Sequence, residues 1–248
     1  MLHIATRLPQ GALVGGEERA LAQLLVKTGA ARFVARAADL LTPDGRITGW
    51  REARGAVVAE PSKPNTGNSR FDEGPPAAML CEEGRNCGFT LPAFAPKVGA
   101  FTAAILYSSE GRARSLLSVS TGQSNNMIYL TEGDGQLTAQ DRSGTVAVAL
   151  PISAGAGVRS AMIGFDGRSL RLACGNRVVS ASGAVPGLDH PADFFIGCRS
   201  NRPGLQKTLG QSRLHEVMFW PDRALLGSDD AADRDMLAAL DRYLRWVW

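Results

Sequence analysis

The chain is 248 residues long, 44% hydrophobic and 21% charged, with a formal net charge of +3; this composition excludes a disordered or fibrous chain and leaves room for one large β-sandwich or barrel or two small domains. The positive charge is mild and scattered, with no basic run and no basic-aromatic stripe, which argues against a nucleic-acid partner. No stretch approaches the roughly 18 to 20 uninterrupted apolar residues of a membrane-spanning helix, and the opening MLHIATRLPQGALVGGEERALAQLL has no basic segment followed by an unbroken apolar one; the expectation is a soluble chain made in the cytoplasm without a signal peptide, with no membrane insertion.

Residues 16–28, GEERALAQLLVKT, put Ala20, Leu21, Leu24 and Leu25 on one helical face, with acids at the start, Lys27 near the end and Gly29 as a stop. That apolar face needs a cover, either the main domain or a partner subunit. From about residue 45 the texture changes to short runs rich in β-branched and aromatic residues, separated by Gly, Asn, Asp and Pro turns, the pattern of an antiparallel sandwich. The runs are GRITGW, AVVAE, AAMLC, CGFTL, GAFTAAILYSS, RSLLSVST, NMIYLTE, GQLTAQD, TVAVALP, VRSAMIGFD, SLRLACG, RVVSAS, DFFIGC and SRLHEVMFW; PSKPNTGNSRFDEGPP between the second and third reads as a long loop. Asp134-Gly135 in EGDGQ is a two-residue hairpin signal, because both central positions must tolerate positive φ, and FDGRS at Phe165 to Ser169 repeats it. No period recurs, so the chain is not a repeat array.

Cys81, Cys87, Cys174 and Cys198 form no C-x-x-C pair, which makes zinc improbable. Two readings stay open. All four are buried free thiols, or CEEGRNC is a hairpin with Cys81 facing Cys87 while Cys174 and Cys198 lie on neighbouring strands, each pair able to oxidise outside a reducing compartment.

In the last strand, Val217 and Phe219 point one way and Met218 and Trp220 the other, so neither face can lie against solvent. Pro221 ends that strand. Ser228 offers an N-cap, Asp229, Asp230, Asp233 and Asp235 suit the positive end of a helix dipole, and Arg242 and Arg245 suit the other end. Met236, Leu240, Tyr243, Leu244 and Val247 make an apolar stripe. The expectation is a C-terminal helix folded back over the sandwich as a lid, with Trp246 and Trp248 either capping the core or touching a neighbouring subunit.

Three segments carry a resemblance. ARFVARAADLLTPDGRITGWREARG is similar to a strand followed by a W-x-D-x-S-G turn, with Trp50 and Gly55 matching and Glu52 and Arg54 standing in for the aspartate and serine. IGFDGRSLRLACGNRVV is similar to a central hairpin pair with Asp166, Gly167, Gly175 and Asn176 on its turns; FFIGCRSNRPGLQKTLGQSRLHEVMFWPDRAL is similar to a late I-G strand, variable loop and E-V strand, through Ile196, Gly197, Glu216, Val217, Asp222, Arg223 and Leu225. Together they resemble the concanavalin A-like lectin/glucanase superfamily in its laminin G-like form, as found in bacterial and phage-particle proteins. The resemblance covers roughly residues 33–248 and implies an all-β, antiparallel jelly-roll sandwich with a short N-terminal helical arm and a C-terminal helix packed on it. Within that frame, residues 1–34 are an attachment arm and residues 35–248 the jelly-roll domain.

Glucanases of this fold resemble one another in a strand that sets two glutamates and an aspartate on one face. Here the nearest string, EGDGQL with Glu132 and Asp134, lacks the second glutamate and reads as a turn. HEVMF begins like a zinc-protease helix, but Phe219 replaces the second histidine and the segment reads as a strand. The chain has no G-x-S-x-G elbow, and SAGAGVRS, with Gly155 and Gly157, reads as a turn and not a phosphate cradle. The expectation is therefore no catalytic residue and no enzyme activity. Lectins of this fold hold sugars on rim loops or a sheet face with Asn and Asp, a stacked ring and sometimes calcium, and DHPAD and CRSNRPG offer Asp189, His190, Arg199, Asn201 and Arg202 on loops flanking one strand as candidate ligand-binding residues. An arginine-rich rim suits an acidic polysaccharide. The resemblance thus implies a non-catalytic binding or structural module of a phage-like particle: a spike, fibre or decoration protein touching host surface polysaccharide, partnered by other particle proteins and by copies of itself as a homo-oligomer. The alternatives are a purely structural assembly module and a glycan hydrolase acting through Glu132 and Asp134.

Overall fold

The computed structural model describes residues 15–63, 65, 68–95, 99–123, 126–153, 155, 157–183, 188, 190–201 and 209–247. Helix α1 spans Gly15–Lys27 and α2 spans Ala231–Val247. The strands are β1 Ala31–Val34, β2 Leu40–Leu41, β3 Gly49–Arg51, β4 Val58–Pro61, β5 Arg70–Asp72, β6 Ala78–Cys81, β7 Phe89–Ala95, β8 Phe101–Ser108 and β9 Arg114–Ser120. They continue as β10 Met127–Gly133, β11 Gln136–Asp141, β12 Ala147–Pro151, β13 Arg159–Phe165, β14 Ser169–Cys174, β15 Arg177–Ser182, β16 Ala192–Ile196 and β17 Ser212–Trp220.

Two antiparallel sheets stack face to face. The back sheet has eight strands in the order β15-β14-β13-β8-β17-β6-β5, with β1 also paired to β17; the front sheet has nine, in the order β12-β11-β10-β9-β16-β7-β4-β3-β2. β17 shares one side with two short strands in succession: Leu214 opposes Met79 of β6, and Val217 and Phe219 oppose Phe33 and Ala31 of β1. Its other side pairs along its length with β8.

The alternation along β17 has the consequence its sequence demands. Val217 and Phe219 enter the core between the sheets, where Phe194 stacks on Phe219 at 4.0 Å and Trp50 meets the edges of Phe33 and Phe89. Met218 and Trp220 enter a second core outside the back sheet, closed by Leu21 and Leu25 of α1 and Met236, Leu240 and Tyr243 of α2. Removing water from both faces of one strand is why a β-sandwich this size carries helices. The lid is thus two helices, and the apolar face of α1 is covered by its own chain.

A buried polar cluster pins the lid. Arg32 Nε donates to Glu216 Oε1 at 2.5 Å, Arg32 Nη2 donates to Tyr243 Oη at 2.9 Å, and Tyr243 donates to Glu216 Oε2 at 2.8 Å. Glu216 faces the helices because Val217 faces the core. Burial and the Glu216 carboxylate push the Tyr243 phenol well above its ordinary range, so it stays a donor.

Several sequence expectations are corrected here. The N-cap of α2 is Asp230, whose Oδ1 accepts from Ala232 N at 2.7 Å; Ser228 instead donates to Asp233 from the turn before. The loop at 61–76 contains β5, a three-residue strand too short to show alternation. Cys174 and Cys198 are not neighbours, since β14 and β16 belong to different sheets. Cys198 instead joins Cys81 and Cys87, all three as free, buried thiols; burial pushes Cys198 up to about 12, which makes it an inert thiol at neutral pH. The Glu52 and Arg54 replacements restore the turn in another way: Glu52 Oε2 accepts from Arg54 N at 3.0 Å and its Oε1 from Arg54 Nε at 2.7 Å, beside Gly55 at φ +78°. Trp248 lies outside the described residues, as does the side chain of Trp246.

Candidate functional site

The outer faces of the two sheets differ in what covers them, and among the described residues the front sheet is the one without a helix. Its outward residues follow from register. Asp134 and Gly135, at φ +51° and +71°, close the tight turn between β10 and β11, which sets Gly133 opposite Gln136 and therefore Tyr129 opposite Gln140. Inward alternation sends Ile128, Leu130, Leu137 and Ala139 to the core; Tyr129, Thr131, Thr138 and Gln140 face out. One cross-strand row runs Thr90, Phe195, Ser118, Tyr129, Gln140, Ala147 across β7, β16, β9, β10, β11 and β12. At a strand spacing of about 4.8 Å, Thr90 and Gln140 lie roughly 19 Å apart.

The row has a closed half and an open half. Thr90, Phe195, Ser118 and Tyr129 are buried, with Phe195 packed on Cys198 and Leu209 and the Tyr129 ring beneath Arg199. Thr90 Oγ1 and Ser118 Oγ have no hydrogen-bond partner among the described residues. On the open half, Gln140 Nε2 donates to Tyr129 Oη, and the next row places Thr131 opposite Thr138 and Thr138 opposite Ala149. Ala147, Ala149 and Pro151 face solvent on β12. No outward position from 129 to 151 on these three strands carries a charge, although edge strands usually carry charges that discourage unwanted pairing. The result is a platform of hydroxyls, one amide and small apolar groups, bordered by the buried Tyr129.

Arg199 forms the rim. Its guanidinium carbon lies 4.1 Å from the centroid of the Tyr129 ring, and Nε donates to Ser115 Oγ at 3.0 Å. Burial, and the charge of Arg142 on the turn beside Met127, lower its pKa.

The other sequence candidates do not gather here. His190 is exposed and precedes β16, whereas Arg199 and Asn201 follow it, so a five-residue strand, roughly 17 Å long, keeps them apart. The expected convergence fails because flanking one strand means occupying its two ends. Asn201 is engaged elsewhere, its Oδ1 accepting from Lys63 N at 2.9 Å. Asp189 and Arg202 lie outside the described residues. Tyr129 and Gln140 were missed, although alternation plus the Asp134-Gly135 turn was enough to pair them.

The remaining polar segments have structural roles. Glu132 is buried at the end of β10, with Oε1 accepting from Ser109 at 2.5 Å and Arg159 Nη1 lying 3.7 Å away as an ion-pair partner, while Asp134 stands in the turn. Arg159 Nη2 donates to Ser153 O and Gly155 O, which ties down the glycine-rich loop. His215 lies on a strand, between Ser108 Oγ at 3.1 Å and Ala77 O at 2.8 Å. Among the described residues, no group of three or more His, Cys, Asp or Glu is placed to hold a metal ion.

No family model matches the chain, and no curated protein matches it. Solved structures do. The Trypanosoma rangeli sialidase, in complex with 2,3-difluoro-KDN, aligns with a TM-score of 0.58 at 13% identity over 86% of this chain and 32% of its own. Domain 4 of AbnA, a GH43 extracellular arabinanase from Geobacillus stearothermophilus, in complex with arabinotriose, aligns with a TM-score of 0.55 at 10% identity over 84% of this chain and 97% of its own. The chain therefore spans about a third of the sialidase and nearly all of the arabinanase domain. The expectation of no enzyme role is corrected by these matches, because proteins containing this sandwich include a sialidase and an arabinanase. At 10 to 13% identity the likeness reaches the fold and assigns no activity. That fold is the concanavalin A-like jelly-roll sandwich that the three resembling segments imply.

Proposed function

We propose that this protein is a carbohydrate-binding module that holds a glycan on the open half of the front sheet, across β10, β11 and β12. The observation that carries the reading is the uncharged platform formed by Gln140, Thr131 and Thr138 beside the small residues of β12, with Arg199 over the buried Tyr129 at its edge. Sugars offer alternating hydroxyls and C–H faces, and a surface of hydroxyl, amide and small apolar groups meets both without desolvating an unpaired charge. The arabinotriose-bound arabinanase domain of the same fold supports it at the level of architecture.

Affinity electrophoresis in gels cast with a panel of polysaccharides tests the reading. Retardation by at least one polymer is expected, weakened several-fold by Gln140→Ala or Thr138→Ala with the melting temperature unchanged. Mobility unaffected by every polymer, or retardation indifferent to both substitutions, overturns it. The setting we propose with it is a phage or phage-like particle, where the module, assembled with its own copies and other particle proteins, touches host surface polysaccharide. Mass spectrometry of purified particles from the source cells decides that setting: finding the chain in them supports it, and its absence sinks it.

A further inference from the structure

Most enclosed arginines of this protein face a carboxylate. Arg32 meets Glu216, Arg159 meets Glu132, Arg171 meets Asp166, Arg213 meets Asp72 and Arg223 meets Asp233. Arg199 is half-buried over Tyr129, and the charge nearby is another arginine, Arg142, whose backbone N donates to Met127 O at 3.1 Å, two residues along β10 from Tyr129. Neither Arg199 nor Arg142 takes part in an ion pair among the described residues, whereas even the exposed Arg245 is paired with Asp241. The carboxylate of Asp193, on the same outward face, is occupied with Ala93 N at 2.8 Å.

Enclosing a guanidinium without a counter-charge is unfavourable, and placing a second one near it adds repulsion. Here the arrangement is held in place: Tyr129 supports the guanidinium plane from below and Ser115 fixes Nε. Those contacts orient Arg199 while supplying no negative charge. The two oxygens of a carboxylate match a guanidinium fork, as do those of a phosphate, and the carboxylate is the acid that sugars themselves carry in uronic and other sugar acids.

We propose that Arg199 and Arg142 form an anion subsite at the rim of the platform, and that the glycan this module takes is acidic, presenting the carboxylate of a uronic or other sugar acid to Arg199. The inference rests on the carbohydrate reading above and adds the ligand's charge to it. The platform supplies contacts to hydroxyls, Arg199 supplies the charge-assisted pair, and Arg142, on the exposed turn after β11, strengthens the local field.

Binding is measured by affinity electrophoresis and calorimetry against a polyuronate, the same polymer with its carboxyl groups reduced to alcohols, and dextran sulfate as a charge control. The polyuronate is expected to bind at least tenfold more tightly than its reduced form, with Arg199→Gln removing the difference and Arg142→Gln lowering it in part. Melting curves accompany Arg199→Gln, and Arg142→Gln, at an exposed position, keeps the test independent of any folding defect. Equal affinity for the parent and reduced polymers, still weakened by Gln140→Ala, overturns the acidic preference and leaves the carbohydrate reading standing. Dextran sulfate bound as tightly as the polyuronate and indifferent to Gln140→Ala overturns it too, as unspecific polyanion adhesion. No binding to any of the polymers overturns both readings.

Discussion

The outer faces of the two sheets are built from the same strand geometry and end in opposite states. The back sheet presents Ala104, Met162, Met218 and Trp220 outward and hides them beneath α1 and α2. The front sheet presents Thr131, Thr138 and Gln140 on its open half, with no helix over them among the described residues. A face whose residues need covering receives helices; a face whose residues are at home in water can go without them.

The largest effect is expected where the covered face is broken. Trp220→Ala removes a fully buried indole and its bond from Nε1 to Thr28 Oγ1, at about 3–5 kcal/mol in urea-induced unfolding. An unchanged midpoint would mean that the helices rest on the sheet without stabilising it. Glu216→Gln takes from Arg32 its buried carboxylate, leaving only the more exposed Glu18 at 3.5 Å, and is expected to destabilise by about 3 kcal/mol, whereas the double change Arg32→Met with Glu216→Leu recovers most of that loss. Equal destabilisation by the single and double variants would rule out the unpaired charge as the cause.

Acid should act on the same sheet. Burial holds the His215 imidazole below its ordinary value, so the unfolded chain takes up that proton at a higher pH than the folded one. Stability from this group is full above about pH 6.5, the unfolded value, and falls as pH drops through the lower folded value. His215→Gln should flatten that part of a stability profile between pH 7.5 and 5; an unaltered slope would place the titration elsewhere. The smallest stability effect belongs to the open face: Gln140→Ala is expected to change unfolding by less than about 0.5 kcal/mol while weakening glycan retention several-fold. A large loss of stability there would make the platform a packing surface.

Much of this contrast was legible in the residues. VMFW declares two apolar faces, and the answer to it, an amphipathic helix, lies a dozen residues on. The Asp134-Gly135 turn fixes a register that carries Tyr129 to Gln140. What stayed hidden depends on pairing between segments that no hairpin joins: β16 sits between β7 and β9, which brings Arg199 over Tyr129 and Cys198 to Cys81 and Cys87. Short strands were also invisible, since β2 and β5 have two and three residues and show no period. Arg199 and His190 lie at opposite ends of β16; a loop's position in the chain does not tell which end of a strand it serves.

The placement of β17 has a bearing on biosynthesis. It is the latest strand in the chain among the described residues, yet it occupies the interior of its sheet, bonded on one side to β8 and on the other to β6 and β1. Until it is made, β8 has one open margin, and β1 and the β5–β6 pair on the far side have no strand to join them to it. A nascent chain of this kind depends on late, long-range zippering, a slow and aggregation-exposed step.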